Sequence, residues 1–253
     1  MNNLIEQEYE NLTTDSKKLA TRLSLNKKTQ KFDFSEWLFS IFPKINKNFN
    51  ILDLGCGTGK QTSFFLDKVD SSGSVCAIDA SFESIDSIPN DERLRKFAID
   101  FNNLDELGKV LNFNNYQIIN STYAIYYANN PLQLINTMKD RFLADQGKII
   151  ISGPTWPHDL YTLIIKEFGE NSEITKTINF MENALTPFLK TMLGNYELHF
   201  LNNSTVFKSA DEAVAFVKNT TYGSHINIGD LEMFIKSFKN LEFRKTSVTA
   251  IFS

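Results

Sequence analysis

The stretch ILDLGCGTGK, residues 51 to 60, constrains the fold of this chain more than any other segment. A short apolar run that carries one acid leads into a loop with glycines at 55, 57 and 59, and then into a segment able to start a helix. Glycine tolerates positive φ and has no Cβ, so the backbone of such a loop can lie directly against a ligand. The helix that follows offers unpaired N–H groups and the positive end of its dipole. The stretch therefore predicts a strand, a nucleotide-binding turn and a helix.

Apolar runs alternate with helical patterns from residue 50 onward, which is typical of βαβ units and a mostly parallel sheet. Each run is short and apolar throughout, as expected of strands buried on both faces. The predicted strands are 50–54, 75–79, 96–99, 116–120, 148–152, 197–207 and 242–252. The predicted fold class is α/β, a three-layer α/β/α sandwich with a seven-stranded, mostly parallel sheet.

Helical patterns occupy the connections between these strands and the first part of the chain. The predicted helices after residue 50 are 59–68, 81–88, 102–111, 131–143, 158–170, 173–193, 209–218 and 230–239. Residues 1–49 form an N-terminal helical cover with patterns at Leu4–Leu25 and Phe34–Phe42, and the polar segment Arg22–Lys28 between them is interpreted as irregular. Residues 50–253 form a Rossmann-like domain, with a helical lid inserted after the fifth strand at about 157–196.

The net charge, the apolar runs and the cysteines indicate which partners this protein can bind and in which compartment we expect it. The formal net charge is −4 and the pI is near 5.5, which disfavours a protein that holds nucleic acid by its phosphates. No apolar run approaches the roughly 20 residues needed to span a bilayer, and the first ten residues are polar and acidic, unlike a signal peptide. We therefore expect a cytoplasmic protein with no membrane partner. The two cysteines, Cys56 and Cys76, lack metal-ligand spacing and are interpreted as small packing residues.

Asp53, Gly55, Gly57 and Gly59 in this spacing resemble the nucleotide-binding loop of class I S-adenosylmethionine-dependent methyltransferases. The main competitor is a nicotinamide or flavin Rossmann domain, whose G-x-G-x-x-G pattern would need its third glycine at position 60, which is Lys60. An acid two residues before the loop is unfavourable beside a pyrophosphate but favourable near the sulfonium and ammonium groups of S-adenosylmethionine. The resemblance thus implies S-adenosyl-L-methionine as the cofactor.

The same resemblance assigns cofactor contacts at the ends of the next strands. Asp79, at the tip of the second strand, is expected to accept hydrogen bonds from the ribose hydroxyls, as an acid at this spacing can; its alternative role is a helix cap. Asp100 is expected to take the adenine amine and Phe101 to lie against the base. The complete set of expected cofactor-binding residues is Asp53, Gly55, Cys56, Gly57, Gly59, Asp79, Ala80, Asp100, Phe101 and Ser121.

Methyl transfer to a protonated oxygen or nitrogen needs a general base, and histidine has a suitable pKa. His158 follows the fifth strand and is the first candidate, with a structural role at a helix start as its alternative. His225 lies in a late loop and is the second candidate. Tyr126, after the fourth strand, is a third residue that could act on the acceptor. No cluster of Asp, Glu or His indicates a metal, and none is expected.

For the methyl acceptor, the sequence predicts only the chemical class of the molecule. The Asn/Asp-Pro-Pro-aromatic motif of enzymes that methylate DNA bases or protein glutamine is absent after the fourth strand. This absence, the acidic charge and the lid favour a small molecule methylated on oxygen or nitrogen. The alternatives are a protein or RNA methyltransferase and a non-catalytic protein that binds S-adenosylmethionine. An apolar stripe in the lid faces either the core or a second copy in a homodimer: Ile174, Ile178, Met181, Leu185, Leu189 and Leu193.

Overall fold

A computed structural model describes residues 16–111, 115–170, 172–192 and 194–253. The chain divides into two compact units. Unit 1 contains the residues up to Ser40 together with Pro154–Ile178 and Phe200–Ser247. Unit 2 contains Ile41–Gly153, Asn179–His199 and Val248–Ser253. The predicted division into a cover at 1–49 and a lid at about 157–196 stays a prediction.

The strands form one seven-stranded sheet in the order β3-β2-β1-β4-β5-β7-β6. The pairs β1/β2, β1/β4, β2/β3 and β4/β5 are parallel. This confirms the predicted α/β class with a mostly parallel sheet. The strands are β1 Asn50–Leu54, β2 Ser74–Asp79, β3 Leu94–Ala98, β4 Tyr116–Thr122, β5 Leu143–His158, β6 Tyr196–Val206 and β7 Glu242–Phe252.

Helices connect the strands much as the patterns predict. Several begin at a side chain that caps the first turn; Ser81, Asn103, Asn130 and Ser209 each accept a backbone N–H there. The helices are α1 Ser16–Thr29, α2 Phe34–Ile41, α3 Lys60–Leu66, α4 Phe82–Ser87, α5 Leu104–Val110, α6 Pro131–Arg141, α7 Asp159–Phe168, α8 Ser172–Asn179, α9 Thr186–Thr191, α10 Ala210–Lys218 and α11 Ile228–Lys236. A 3₁₀ turn covers Ile125–Tyr127 and a π-helical turn covers Phe180–Leu185.

The core of unit 2 lies on both faces of the sheet. Alternate residues of a strand point to opposite faces, and β1 divides accordingly. Leu52 and Leu54 join a cluster that includes side chains of α5 and α6, whereas Ile51 packs with Phe65 of α3. Each of these residues is fully buried. Because helices cover both faces of the sheet, polar groups that bind a ligand can lie only at the ends of the strands. The loops at the carboxyl ends are the expected place for them.

Unit 1 has a hydrophobic core of its own. Its buried side chains come from α7, α8, α10 and α11 and from the turn after α10, where Tyr222 and Ile226 lie. The guanidinium of Arg244 donates to both carboxylate oxygens of Asp159 at 3.0–3.2 Å, which joins the start of α7 to β7.

The interpretation of Arg22–Lys28 as irregular is wrong, because these residues belong to α1. Leu25 packs against the unit 1 core, and the Thr29 hydroxyl donates to the Leu25 carbonyl at 2.8 Å. Lys27 and Lys28 lie in the last turn, where positive charge favours the helix dipole. Of the Leu4–Leu25 pattern, the part before residue 16 lies outside the described residues.

The apolar stripe of the predicted lid segment faces the interior. Ile174 and Ile178 are buried in the core of unit 1, and Met181, Leu185 and Leu189 are buried in the core of unit 2. Leu193 lies outside the described residues. These five side chains therefore do not offer a dimer surface.

Candidate active site

The strand order places a topological switch point in unit 2. From β1 the chain winds outward to β2 and β3, then returns to place β4 on the other side of β1. In open α/β sheets, ligands bind beyond the carboxyl ends of the strands where the winding reverses. The glycine loop follows β1, and Asn120 and Ser121 lie near the end of β4, so the predicted cofactor residues of these two strands lie at this switch point.

The glycine loop is shaped by its own backbone and by β2. Gly55, Gly57 and Gly59 have φ values of 71°, 53° and 81°. The N–H groups of Gly55 and Cys56 both donate to the Ile78 carbonyl, at 2.7 and 3.0 Å. A Cβ on Gly55 would lie 2.2 Å from the Cβ of Ala124. Gly55 is therefore required by the fit of the loop against the segment after β4, in addition to any contact with a cofactor.

Asp53 is buried beneath the loop, with 1% of its surface exposed. Its carboxylate accepts hydrogen bonds from the Thr62 hydroxyl at 2.6 Å and from the Asn120 amide at 2.8 Å. Burial raises the pKa of Asp53 to about 6, although both hydrogen bonds lower it, and the nearby Asp79 raises it further. Asp53 thus ties β1, α3 and β4 together and brings a negative charge under the loop at neutral pH.

Asp79 links the end of β2 to the glycine loop. One carboxylate oxygen accepts the Gly57 N–H at 2.8 Å and the other accepts the Ser81 N–H at 2.9 Å. Burial raises the pKa of Asp79, and these two N–H donors oppose the shift. A carboxylate offers about four acceptor positions, so two donors leave capacity for a pair of hydroxyl groups.

The expected adenine residues follow β3. Asp100 is exposed and accepts both the backbone N–H and the side-chain amide of Asn102 at 2.9 Å. Phe101 is buried, and its Cε1 atom lies 3.6 Å from the position of a Cβ on Gly55. The structure therefore brings Phe101 to the glycine loop and leaves Asp100 at the surface.

The remaining predicted cofactor residues differ in exposure. Ala80 is exposed beside Asp79, whereas Cys56 is buried. Burial raises the pKa of the Cys56 thiol well above its usual value, and Asp53 and Asp79 add to this effect, so the thiol is protonated. Ser121 is buried, and no hydrogen-bond partner for its hydroxyl is found within the described parts of the chain.

Tyr126 is half-buried in the 3₁₀ turn after β4. Its ring makes an edge contact with Tyr127, with centroids 4.8 Å apart, and lies 6.3 Å from the ring of Phe180. These aromatic residues all belong to unit 2, as does the glycine loop. Tyr123, two residues before the 3₁₀ turn, has a positive φ of 56°.

The two histidine candidates both belong to unit 1. His158 is buried, caps α7 by accepting the Tyr161 N–H at 3.4 Å, and makes edge contacts with the rings of Tyr161 and Tyr222. Burial lowers the pKa of His158 to about 3, and the charge of Lys245 lowers it further. His225 is exposed in the turn before α11.

Two residues of the polar network were not among the predicted site residues. Thr62 and Asn120 supply the side-chain donors to Asp53. Asn120 is the register partner of Asp53 in the β1/β4 pair, so an amide in the neighbouring buried strand was the signal available in the sequence. Thr62 gives no comparable signal, since a threonine in the first turn of a helix is unremarkable by itself.

The residues present fit S-adenosylmethionine. The Asp79 carboxylate has acceptor capacity for two hydroxyl groups, and the Ser121 hydroxyl is buried near the end of β4 with no partner among the residues that the structure describes. Asp53 supplies negative charge for a cationic ligand.

Within the described ranges, no group of three or more His, Cys, Asp or Glu side chains is placed to hold a metal ion. No helix in those ranges is both long and apolar enough to cross a membrane.

Comparisons with known proteins agree with this geometry. Residues 45–203 match the family model described as a methyltransferase domain. No curated protein sequence matches the chain significantly. Among solved structures, the fold is similar to a proposed methyltransferase of Bacillus halodurans, with a TM-score of 0.55, 13% identity, and coverage of 87% of this chain and 97% of the other.

Two further structures share the fold. The YcgJ protein of Bacillus subtilis has a TM-score of 0.53 at 13% identity, covering 86% of this chain and 97% of its own. A proposed methyltransferase of Haloferax volcanii, solved in complex with the Trm112 methyltransferase activator, has a TM-score of 0.56 at 13% identity, covering 97% and 96%. Because the family model matches more than half of the chain, the protein belongs to the methyltransferase-domain family and is a methyltransferase that uses S-adenosylmethionine as its methyl donor.

Proposed function

We propose that this enzyme methylates an oxygen or nitrogen atom of a small molecule. The cofactor side of the proposal rests on the bonding of both Asp79 carboxylate oxygens to backbone N–H groups, of Gly57 in the glycine loop and of Ser81 after β2. This arrangement fixes an acid with remaining acceptor capacity beside the loop. We assign Asp79 to the ribose, Phe101 and Asp100 to the adenine, and the Asp53 charge to the cationic end of the cofactor.

The acceptor class follows from charge and chain organisation. The net charge of −4 disfavours a polyanion such as RNA. The chain between β5 and β6 carries α7, α8, a π-helical turn and α9, and we take about 157–196 as a lid. A lid favours a small acceptor because closure excludes water and orients the reactants.

The bound cofactor supplies a methyl carbon that leaves the positive sulfur, which keeps the bonding electron pair, as the carbon bonds to the acceptor heteroatom. The protein must align that heteroatom and accept its proton where it carries one. We propose Tyr126, which belongs to the same unit as the glycine loop, as the group that acts on the acceptor. His158 is a poor general base at neutral pH, because burial holds its pKa at about 3.

The test is a transfer assay with methyl-labelled S-adenosylmethionine and a cell extract of the source organism, separated into small molecules, proteins and RNA. We expect enzyme-dependent label in the small-molecule fraction. Label in the protein or RNA fraction would replace the proposed acceptor class with that polymer. Cofactor binding without transfer to any fraction would favour the non-catalytic alternative.

The matched control is Asp79→Ala against Asp67→Ala. Both substitutions remove one carboxylate from unit 2, but Asp67 is exposed at the end of α3. We expect the Asp79 variant to lose transfer at cofactor concentrations that saturate the wild type, and the Asp67 variant to retain it. Equal transfer by the two variants would refute the role given to Asp79.

A further inference from the structure

The loop after β3 carries a carboxylate that uses only one of its two oxygens. Oδ1 of Asp100 accepts the backbone N–H and the side-chain amide of Asn102, both at 2.9 Å. Across the described parts of the chain, no hydrogen bond to the other oxygen, Oδ2, is found. Because Asp100 is exposed, a ligand that offers an N–H donor can reach this second oxygen.

Asn102 is held at both ends of its side-chain amide. Its Oδ1 atom accepts the backbone N–H of Asn129 at 2.8 Å, two residues before α6 begins. A backbone N–H can only donate, so the amide oxygen of Asn102 must face Asn129 and the amide nitrogen must face Asp100. The contact with Asn129 therefore determines that Asn102 presents a donor, and not an acceptor, to the carboxylate.

Two contacts of different kinds orient the Asp100 carboxylate. The backbone N–H of Asn102 makes a local turn, as is common for aspartate. The amide of Asn102 adds a contact that is tied to a segment 27 residues further along the chain. A side chain that is already oriented loses less freedom when a ligand binds, which strengthens binding without a new contact. Asn102 can thus prepare the free oxygen of Asp100 for a donor without touching the ligand itself.

The order of the strands places Asp100 where the base of a nucleoside cofactor would lie. β3, β2 and β1 are neighbours in that order. Asp53 lies in β1, Asp79 ends β2 and Asp100 follows β3. When the ribose is on Asp79 and the positive charge of the cofactor is toward Asp53, the base points toward β3. All these residues, together with Asn102 and Asn129, belong to unit 2.

A free carboxylate oxygen matches a base that carries an exocyclic amine. Adenine offers two N–H donors at its 6-position, whereas a purine with hydrogen at that position offers none. Hydrogen bonds to a charged group are stronger than those between neutral groups, so an oriented carboxylate distinguishes the two bases. We infer that Asn102 is a positioning residue that orients Asp100 and thereby makes the site select a 6-amino purine, an inference that rests on the cofactor placement given under the proposed function.

The test is a calorimetric comparison of S-adenosylhomocysteine with its analogue that has hydrogen in place of the 6-amino group. The ratio of the two affinities, called the amine preference, is measured for the wild type and for each variant. We expect an amine preference of at least about fivefold in the wild type, and none in Asp100→Ala because the acceptor is gone. Equal affinities in the wild type, or a preference that Asp100→Ala retains, would overturn the inference.

The positioning role is tested with Asn102→Asp and the matched control Asn240→Asp. Aspartate at 102 keeps an oxygen for the Asn129 N–H but replaces the donor to Asp100 with a second carboxylate. Asn240 is an exposed residue of unit 1 whose Oδ1 atom accepts the Glu242 N–H at 3.1 Å, so its substitution makes the same change in charge. We expect the amine preference to fall below about twofold in Asn102→Asp and to stay unchanged in Asn240→Asp. An unchanged preference in both variants, or an equal loss in both, would contradict the proposal.

Asn102→Ala separates the loss of positioning from added repulsion, because it removes the amide without adding a charge. We expect it to lower the amine preference at least about twofold. A preference lost in Asn102→Asp but fully kept in Asn102→Ala would reflect repulsion and would count against positioning. Binding of S-adenosylhomocysteine is measured first on each sample. If the wild type binds neither ligand, the proposed function fails and the inference with it; if it binds both equally, only the roles of Asp100 and Asn102 fail.

Discussion

At the scale of single residues, Asp53 explains how an acid is kept inside an apolar sheet. An unpaired buried carboxylate is costly, and Asp53 is held by donors from Thr62 and Asn120. The sequence pattern predicts an acid before the glycine loop, but not its burial between two side-chain donors. Those contacts depend on the pairing of β1 with β4 and on the direction in which α3 leaves the loop.

The pKa of Asp53 makes stability depend on pH in a defined direction. Its folded pKa of about 6 lies above the ordinary value of 3.8, so its contribution to stability is full below about pH 4 and is lost as the pH rises through 6. The expected loss is about 3 kcal/mol in the free energy of unfolding. Urea denaturation from pH 4 to 7 should show this loss in the wild type and a flatter profile in Asp53→Asn. Asp67→Asn is the control, and parallel profiles for wild type and Asp53→Asn would contradict the assignment.

A side chain at position 55 should lower both stability and ligand binding. Its φ of 71° and the 2.2 Å approach of Ala124 both oppose a side chain. Gly55→Ala should therefore lower the melting temperature and weaken binding of S-adenosylhomocysteine by at least about tenfold, because the loop must shift. Thermal unfolding with and without the ligand measures both effects. Gly108→Ala should bind normally, and normal binding by Gly55→Ala would refute the close packing of the loop.

At the scale of elements, the strands of the nucleotide-binding half are the most predictable part. β1, β2 and β4 are short apolar runs bounded by turn residues, and their starts are found within one residue of the predicted positions. β5 is different, because it extends over Leu143–His158 against a predicted 148–152. Its first part contains Gln146 with a φ of 59° and a register shift against β4. Polar residues in such an irregular strand leave no periodic pattern.

The cap at the start of α7 should contribute to the stability of the protein. His158 caps this helix through its Nδ1 atom, which accepts the Tyr161 N–H. His158→Ala should reduce the free energy of unfolding by about 1–3 kcal/mol, through loss of the cap and creation of a cavity. His158→Asn keeps a capping oxygen and should lose less. Urea denaturation of both variants makes the comparison, and an asparagine variant as unstable as the alanine variant would exclude capping as the main role.

At the scale of the whole molecule, the grouping of segments into two units was beyond prediction from local patterns. Unit 1 combines residues up to Ser40, those from Pro154 to Ile178 and those from Phe200 to Ser247, so its core joins parts of the chain that are far apart in sequence. Helical periodicity identifies an apolar face but not the face it packs against. The apolar stripe of the lid illustrates this limit, because its members are shared between two cores.

The proximity of the predicted cofactor residues follows from short-range spacing. The glycine loop and Asp79 lie at the ends of neighbouring strands, and parallel strands bring their carboxyl ends to one edge of the sheet. The packing of Gly153 against Met181 could not be predicted in this way, because their approach depends on the path of the chain after β5.

The most direct test of the account is a calorimetric titration of S-adenosylhomocysteine into the wild type, Asp79→Ala and Asp67→Ala, with NADH titrated into the wild type for comparison. We expect one binding site in the wild type, unchanged affinity in Asp67→Ala, affinity reduced by at least about tenfold in Asp79→Ala, and no heat from NADH. Binding of NADH in place of S-adenosylhomocysteine, or equal affinities for the wild type and Asp79→Ala, would contradict it.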